Sequence, residues 1–128
     1  MNPTNLRYHQ EHEWVRAEGR SATLGISAFA QDALGDIVFV DLPTVGVHVK
    51  AGQQIGEVES TKTTSSIYTP VTGTITKFNT DLTNHPELIN SDPYGKGWIA
   101  VIELSDPAEV DRLMTAAQYE AFLASQKK

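Results

Sequence analysis

The stretch EVESTKTTSSIYTPVTG, from Glu57 to Gly73, decides how the rest of the chain is read. Val58 on one side and Ile67 and Tyr68 on the other flank a polar STKTTSS tip, the pattern of a β-hairpin with a solvated end. Lys62 lies at that tip and is the one basic residue between Lys50 and Lys77. It has neither a neighbouring cation nor an apolar cage, the surroundings that activate a lysine for Schiff-base or general-base work. Spacing alone leaves two readings. A lone tip lysine is most often a solvated residue that discourages edge pairing; alternatively, an exposed amine on a projecting turn is a good substrate for an acylating enzyme.

Working outward, Ala22, Leu24 and Ile26 alternate with polar or small residues, which predicts a half-buried strand. Ser27 as N-cap and Gly35 as stop enclose a short helix over 28–34. GDIVFVDLP then reads as a strand buried on both faces and ended by Pro43. Gly46, Gly52 and Gly56 mark the corners of a tightly turning sheet. Beyond the lysine, Ile67, Val71 and Ile75 share one parity and Thr72, Thr74 and Thr76 the other, a strand with one wet face interrupted at Pro70 and Gly73. Residues 86–97 read as loop and WIAVIEL, Trp98 to Leu104, as a strand. Asp106, Pro107 and Glu109 have the form of an N-cap, first-turn proline and capping-box acid. TAAQ, Thr115 to Gln118, repeats the capping-box spacing before a helix whose inner face is Tyr119, Phe122 and Leu123. The expected architecture is mainly β, a small sandwich or barrel with a short helix near 28–34 and C-terminal helices over about 106–125. No linker composition interrupts the 128 residues, so one domain is expected.

Ten Lys plus Arg against sixteen Asp plus Glu give a formal net charge of −6, with no basic cluster to neutralise phosphates. Nucleic acid and anionic membrane are therefore not expected partners. There is no cysteine, so any thiol or redox chemistry must come from a cofactor. No apolar run approaches the roughly 20 residues that span a bilayer. The first residues carry no signal or transit pattern, so the chain reads as a cytoplasmic protein, monomeric by expectation, or a mature form whose presequence is missing. The group His9, Glu11, His12 and Glu13 is not an HExxH pattern and reads as a solvated terminus rather than a metal site. Trp14, Tyr94 and Trp98 read as core or rim aromatics.

Five blocks in order, HEWV (His12–Val15), LGISAFAQDALGDIVFVDLPTVG (Leu24–Gly46), ESTK (Glu59–Lys62), IYTPVTG (Ile67–Gly73) and LINSDPYGKGW (Leu88–Trp98), resemble the glycine cleavage system H-protein family of lipoyl carriers. The resemblance implies the barrel-sandwich hybrid fold of lipoyl and biotinyl domains, with Lys62 bearing lipoate in amide linkage. It implies a non-catalytic carrier that takes the aminomethyl group of glycine from the P protein (glycine decarboxylase) to the T protein (aminomethyltransferase). The L protein (dihydrolipoyl dehydrogenase) then reoxidises the arm, and a lipoate ligase or a lipoyl or octanoyl transferase attaches it. Lipoate would supply the sulfurs that the chain lacks.

Glu59, three residues back along the same strand end, either offers the attaching enzyme an acceptor beside the lysine or is a solvated strand acid, and on the resemblance Glu13 and Ser66 belong to the cleft that holds the loaded arm. The chain departs from the family pattern at Ser66, where an acid is usual, and at Ala33, where histidine is frequent. The alternatives are a lipoyl relay to other complexes and a biotinyl-type carrier. Biotin is disfavoured because Thr61 and Thr63, not methionines, flank Lys62.

Overall fold

The computed structural model describes residues 3–41 and 44–126. Leu42 and Pro43, and with them the predicted proline stop, lie outside the described residues. The strands are β1 (Arg7–Tyr8), β2 (Glu13–Glu18), β3 (Ser21–Ile26), β4 (Ile37–Asp41), β5 (His48–Val49), β6 (Gln54–Ser60), β7 (Thr64–Tyr68), β8 (Gly73–Phe78) and β9 (Ala100–Leu104). Between and after them come the helices α1 (Ala28–Leu34), α2 (Asp81–Asn84), α3 (Leu88–Ser91), α4 (Ala108–Asp111) and α5 (Ala116–Gln126). The strands form two sheets, one of order β1-β2-β3-β9-β8-β5 and one of order β4-β6-β7, all of whose pairings are antiparallel.

The inward residues of both sheets meet in one core that includes Leu24, Ile26, Val40, Val58, Ile67, Ile75 and Ile102. Alternation along β3 and β9 produces this directly, since Ala22 and Leu24 pair with Ile102 and Ala100 and all four are buried. Gly73, which opens β8, has no substitute there, because a Cβ would collide with the Glu103 carbonyl oxygen across the ladder.

Four expectations need correction. β4 is not buried on both faces: it is the edge of the smaller sheet, and Val38 and Phe39 are both exposed. The pairing slips between Ile37 and Phe39, which oppose the consecutive residues Ser60 and Glu59, so Val38 is an extra residue and the alternation breaks. The stretch 86–97 is not all loop, because Leu88–Ser91 forms α3. Glu109 does not close a capping box: its carboxylate accepts from Thr72 N at 2.7 Å and from Thr72 Oγ1 at 2.9 Å, tying α4 to the start of β8.

The second predicted box is present, with Thr115 Oγ1 accepting from Gln118 N and Gln118 Oε1 from Thr115 N. It starts α5 so that Tyr119 is buried, stacked on Tyr8 at 4.6 Å, in a second cluster with Leu6, Trp14 and Ala116. No described helix is long and apolar enough to cross a membrane.

The end labelled HQEHE is not a solvated terminus. His12 adopts φ 78°, and its ring packs against Phe29 and Tyr119. Burial lowers its pKa and pushes that of the Tyr119 phenol up to about 12, so a neutral imidazole faces a protonated phenol. One arrangement satisfies every group: Tyr119 donates to His12 Nδ1 (2.7 Å), Ser27 Oγ donates to Tyr119 Oη (2.8 Å), and Ala30 N donates to Ser27 Oγ. The predicted N-cap of α1 is thereby wired to α5. Tyr119→Phe removes the central hydroxyl that joins the buried Ser27 to the half-buried His12, so it is expected to destabilise the fold by about 1–3 kcal/mol, read as a lower midpoint in thermal or urea unfolding.

Candidate functional site

The β6–β7 hairpin closes through Thr61, Lys62 and Thr63, and one hydroxyl organises the turn. Ser60 Oγ accepts from Lys62 N and from Thr63 N, both at 3.1 Å, while Ser60 N donates to the Thr63 carbonyl at 2.8 Å. Ser60 itself is buried, so the turn has a fixed base beneath an exposed tip. Thr61 N donates outward to the Asp36 carbonyl at 3.1 Å, resting the tip on the turn between α1 and β4. The Lys62 stem lies over Gly35: a Cβ built there would come within 3.0 Å of Lys62 Cε. Gly35 also has φ 83°, which glycine adopts without strain.

Lys62 is exposed and enters none of the ion pairs among the described residues. Glu59 is exposed on β6, between Phe39 of β4 and Thr64 of β7. The structure thus brings Lys62 and Glu59 together at one end of the small sheet.

Ser66 lies further along it, and Glu13 reaches it from the larger sheet. Glu13 is on β2 and only 1 % exposed. His9 Nδ1 is 3.0 Å from its Oε1, and Tyr68 N donates to its Oε2 at 3.0 Å. Ser66 is two residues before Tyr68 on the same face of β7, half-buried, and its cross-strand partner is Glu57. A cleft of about 240 Å³ lies beside Tyr68, lined by His9, Gln10, Glu11, Gly52 and Tyr68; neither Glu13 nor Ser66 is among its lining residues. Burial pushes the Glu13 carboxyl above its ordinary range, and the bonds from His9 and Tyr68 pull the other way without cancelling it. Ala33 is exposed on α1.

Sequence reading missed Ser60, the seat at Gly35 and Asp36, the His9–Glu13 pair, and Glu57 facing Ser66. Ser60 had a local signal, a serine hydroxyl at the start of a turn. The others are contacts across the fold that no spacing announces.

A two-sheet β fold that presents one unpaired lysine on a braced hairpin defines a carrier protein of the lipoyl-domain type. The family described as Glycine cleavage H-protein matches residues 6–126. The chain is 55% identical over 120 residues to the glycine cleavage system H protein of Symbiobacterium thermophilum, covering 94% of each chain. It is 53% identical to that of Bacillus subtilis, covering 92% of this chain and 93% of the relative. The crystal structure of a glycine cleavage system H protein from Mycobacterium marinum superposes with TM-score 0.87 at 40% identity, covering 96% of this chain and 99% of that one. The chain belongs to the glycine cleavage H-protein family, a family of carriers and not of catalysts.

The buried carboxyl has a consequence for stability. Because its folded pKa lies above the ordinary 4.5, the native state binds more protons than the unfolded chain between those two values. Its contribution to stability therefore rises as pH falls through that window and is lost as pH climbs above it. Glu13→Gln, of the same shape, should remove that slope: unfolding midpoints measured from pH 4.5 to 8 should show the variant at or above the parent at neutral pH, with the gap closing toward acid.

Proposed function

We propose that this chain carries lipoate in amide linkage on Lys62 and serves the glycine cleavage system as its shared aminomethyl carrier. The observation that carries the reading is the exposed, unpaired amine of Lys62 on a turn whose backbone is fixed by Ser60 and Asp36. Acylation needs a free amine that an enzyme can reach and a backbone that does not wander, and it costs this fold no ion pair. When attached, lipoate supplies a dithiolane that accepts and releases the one-carbon unit and cycles between disulfide and dithiol. The P, T and L proteins and a lipoate-attaching enzyme are the partners this reading requires. A tether that keeps the load near each active site raises its effective concentration there. The whole chain acts as one carrier domain, with α4 and α5 as its C-terminal extension.

Glu59 is exposed beside the lysine and is free to accept a hydrogen bond from an approaching enzyme. At the other end of the hairpin, Glu13 is a desolvated acid whose one ionic partner among the described residues is His9. An ammonium arriving there would favour the ionised carboxylate, and holding the amine protonated removes the lone pair that would expel the sulfur. Ser66 provides only a neutral hydrogen bond, but Glu57 directly opposite restores an acid to that position from the neighbouring strand.

Lys62→Arg should fold as the parent does, since the exposed charge is kept, and should gain no lipoyl mass when incubated with a lipoate ligase. Glu59→Ala should slow uptake without changing stability. A lipoyl group mapped to Lys50 or Lys77, with Lys62 bare, would end the reading. For the arm, Glu13→Gln should speed formaldehyde and ammonia release from the loaded protein by about tenfold, the equivalent of one pKa unit at the amine. Glu57→Gln should produce a smaller change of the same sign; release at the parent rate in both variants would remove the carboxylates from the account.

A further inference from the structure

The turn that supports the lysine tip is itself held by a single side chain from another part of the sequence. Asn90, on α3, accepts from Ile37 N at 2.8 Å through Oδ1. Its Nδ2 donates to the Gly35 carbonyl at 2.8 Å and to Gln31 Oε1 at 3.0 Å. These three bonds fix the last turn of α1, the Gly35–Asp36 corner and the first residue of β4 relative to one another. On that corner rest both contacts of the tip: the Asp36 carbonyl that receives Thr61 N, and the space above Gly35 that the Lys62 stem occupies.

We propose that Asn90 is a positioning residue for the acylation of Lys62, acting through the Gly35–Asp36 seat. The proposal rests on the reading of Lys62 as the acylated residue. Asparagine suits the place because one planar group supplies an acceptor and two donors. Aspartate keeps the acceptor for Ile37 N but turns an acceptor toward the Gly35 carbonyl and Gln31 Oε1; alanine keeps nothing. Ser60 fixes the turn from within, yet the turn as a rigid unit still needs a fixed point outside the hairpin. Thr61 N to Asp36 is that point, and loosening the seat spreads the positions from which the amine attacks an activated carboxyl.

The test uses the full chain and a lipoate ligase supplied with lipoate and ATP, with uptake followed by intact mass. Asn90→Ala and Asn90→Asp should each lower kcat/KM for acylation at Lys62 by about fivefold, the worth of one net hydrogen bond. Hydrogen exchange should quicken at the Thr61 amide by a similar factor while the amide of Ile102, in the centre of the larger sheet, keeps its protection. Asn90→Asp conserves volume and one bond, so it carries the test if the alanine variant does not fold. Parental acylation kinetics in a folded variant would overturn the proposal, as would quickening shared equally by Thr61 and Ile102, which marks general loosening. Lipoyl uptake by the parent at a lysine other than Lys62 would instead overturn the underlying reading.

Discussion

Glu13 is the one acidic or basic side chain buried among the described residues, and it stands where the two sheets meet. Its backbone belongs to β2 of the larger sheet, while one oxygen accepts from Tyr68 N at the end of β7 in the smaller one. An edge strand leaves backbone donors unpaired, and a buried unpaired donor is costly. The carboxylate satisfies one such donor and sets how the hairpin leans against the rest of the molecule. Apolar contact in the main core fixes the distance between the sheets but, being non-directional, does little to fix their relative slide. A hydrogen bond at 3.0 Å from a buried acid supplies that direction.

On the function proposed above, the same carboxyl would meet two demands that pull apart. For the fold alone, a neutral amide of the same shape would serve, since burial disfavours the charge. Under the proposed arm-holding role, keeping an amine protonated would need the charge. The tension is of the kind found where function holds a residue that stability would exchange. His9 moderates it by offering Oε1 a partner on the exposed side, at 3.0 Å. The arrangement leaves the acid desolvated but not orphaned, with a partner on each oxygen.

Local sequence rules carried a good part of the fold. The alternation in β3, the N-cap Ser27, the Thr115–Gln118 box and the hairpin around Lys62 all follow from chemistry within a few residues, and the structure has each of them. What failed was longer in range or depended on register. The β-branched run of β4 reads as doubly buried only if the alternation is unbroken, and the extra residue Val38 breaks it. Glu109 has the right spacing for a capping box, yet the donors it meets belong to Thr72, 37 residues away. At the candidate site, the proximity of Lys62 and Glu59 was legible because they share one short motif. Glu57 was not, because nothing in spacing reveals that it opposes Ser66.

The block LINSDPYGKGW illustrates why a stretch far from the lysine resembles the family as closely as the lysine motif itself. Trp14 Nε1 donates to the Pro93 carbonyl, Ala28 N donates to Tyr94 Oη, and Asn90 holds Gly35 and Ile37. The block therefore grips β2, the first turn of α1 and the end of α1 at once. Glycines make this possible: at Gly95 a Cβ would press on the Asp92 carboxylate, and at Gly97 on the backbone of α3. Fixing both ends of α1 fixes the surface against which the tip of the β6–β7 hairpin rests. Lys62 is exposed at the tip, so the hairpin is not steadied by burying that tip. It is steadied instead from below by Ser60 and from the side by a turn that the 88–98 block holds in place.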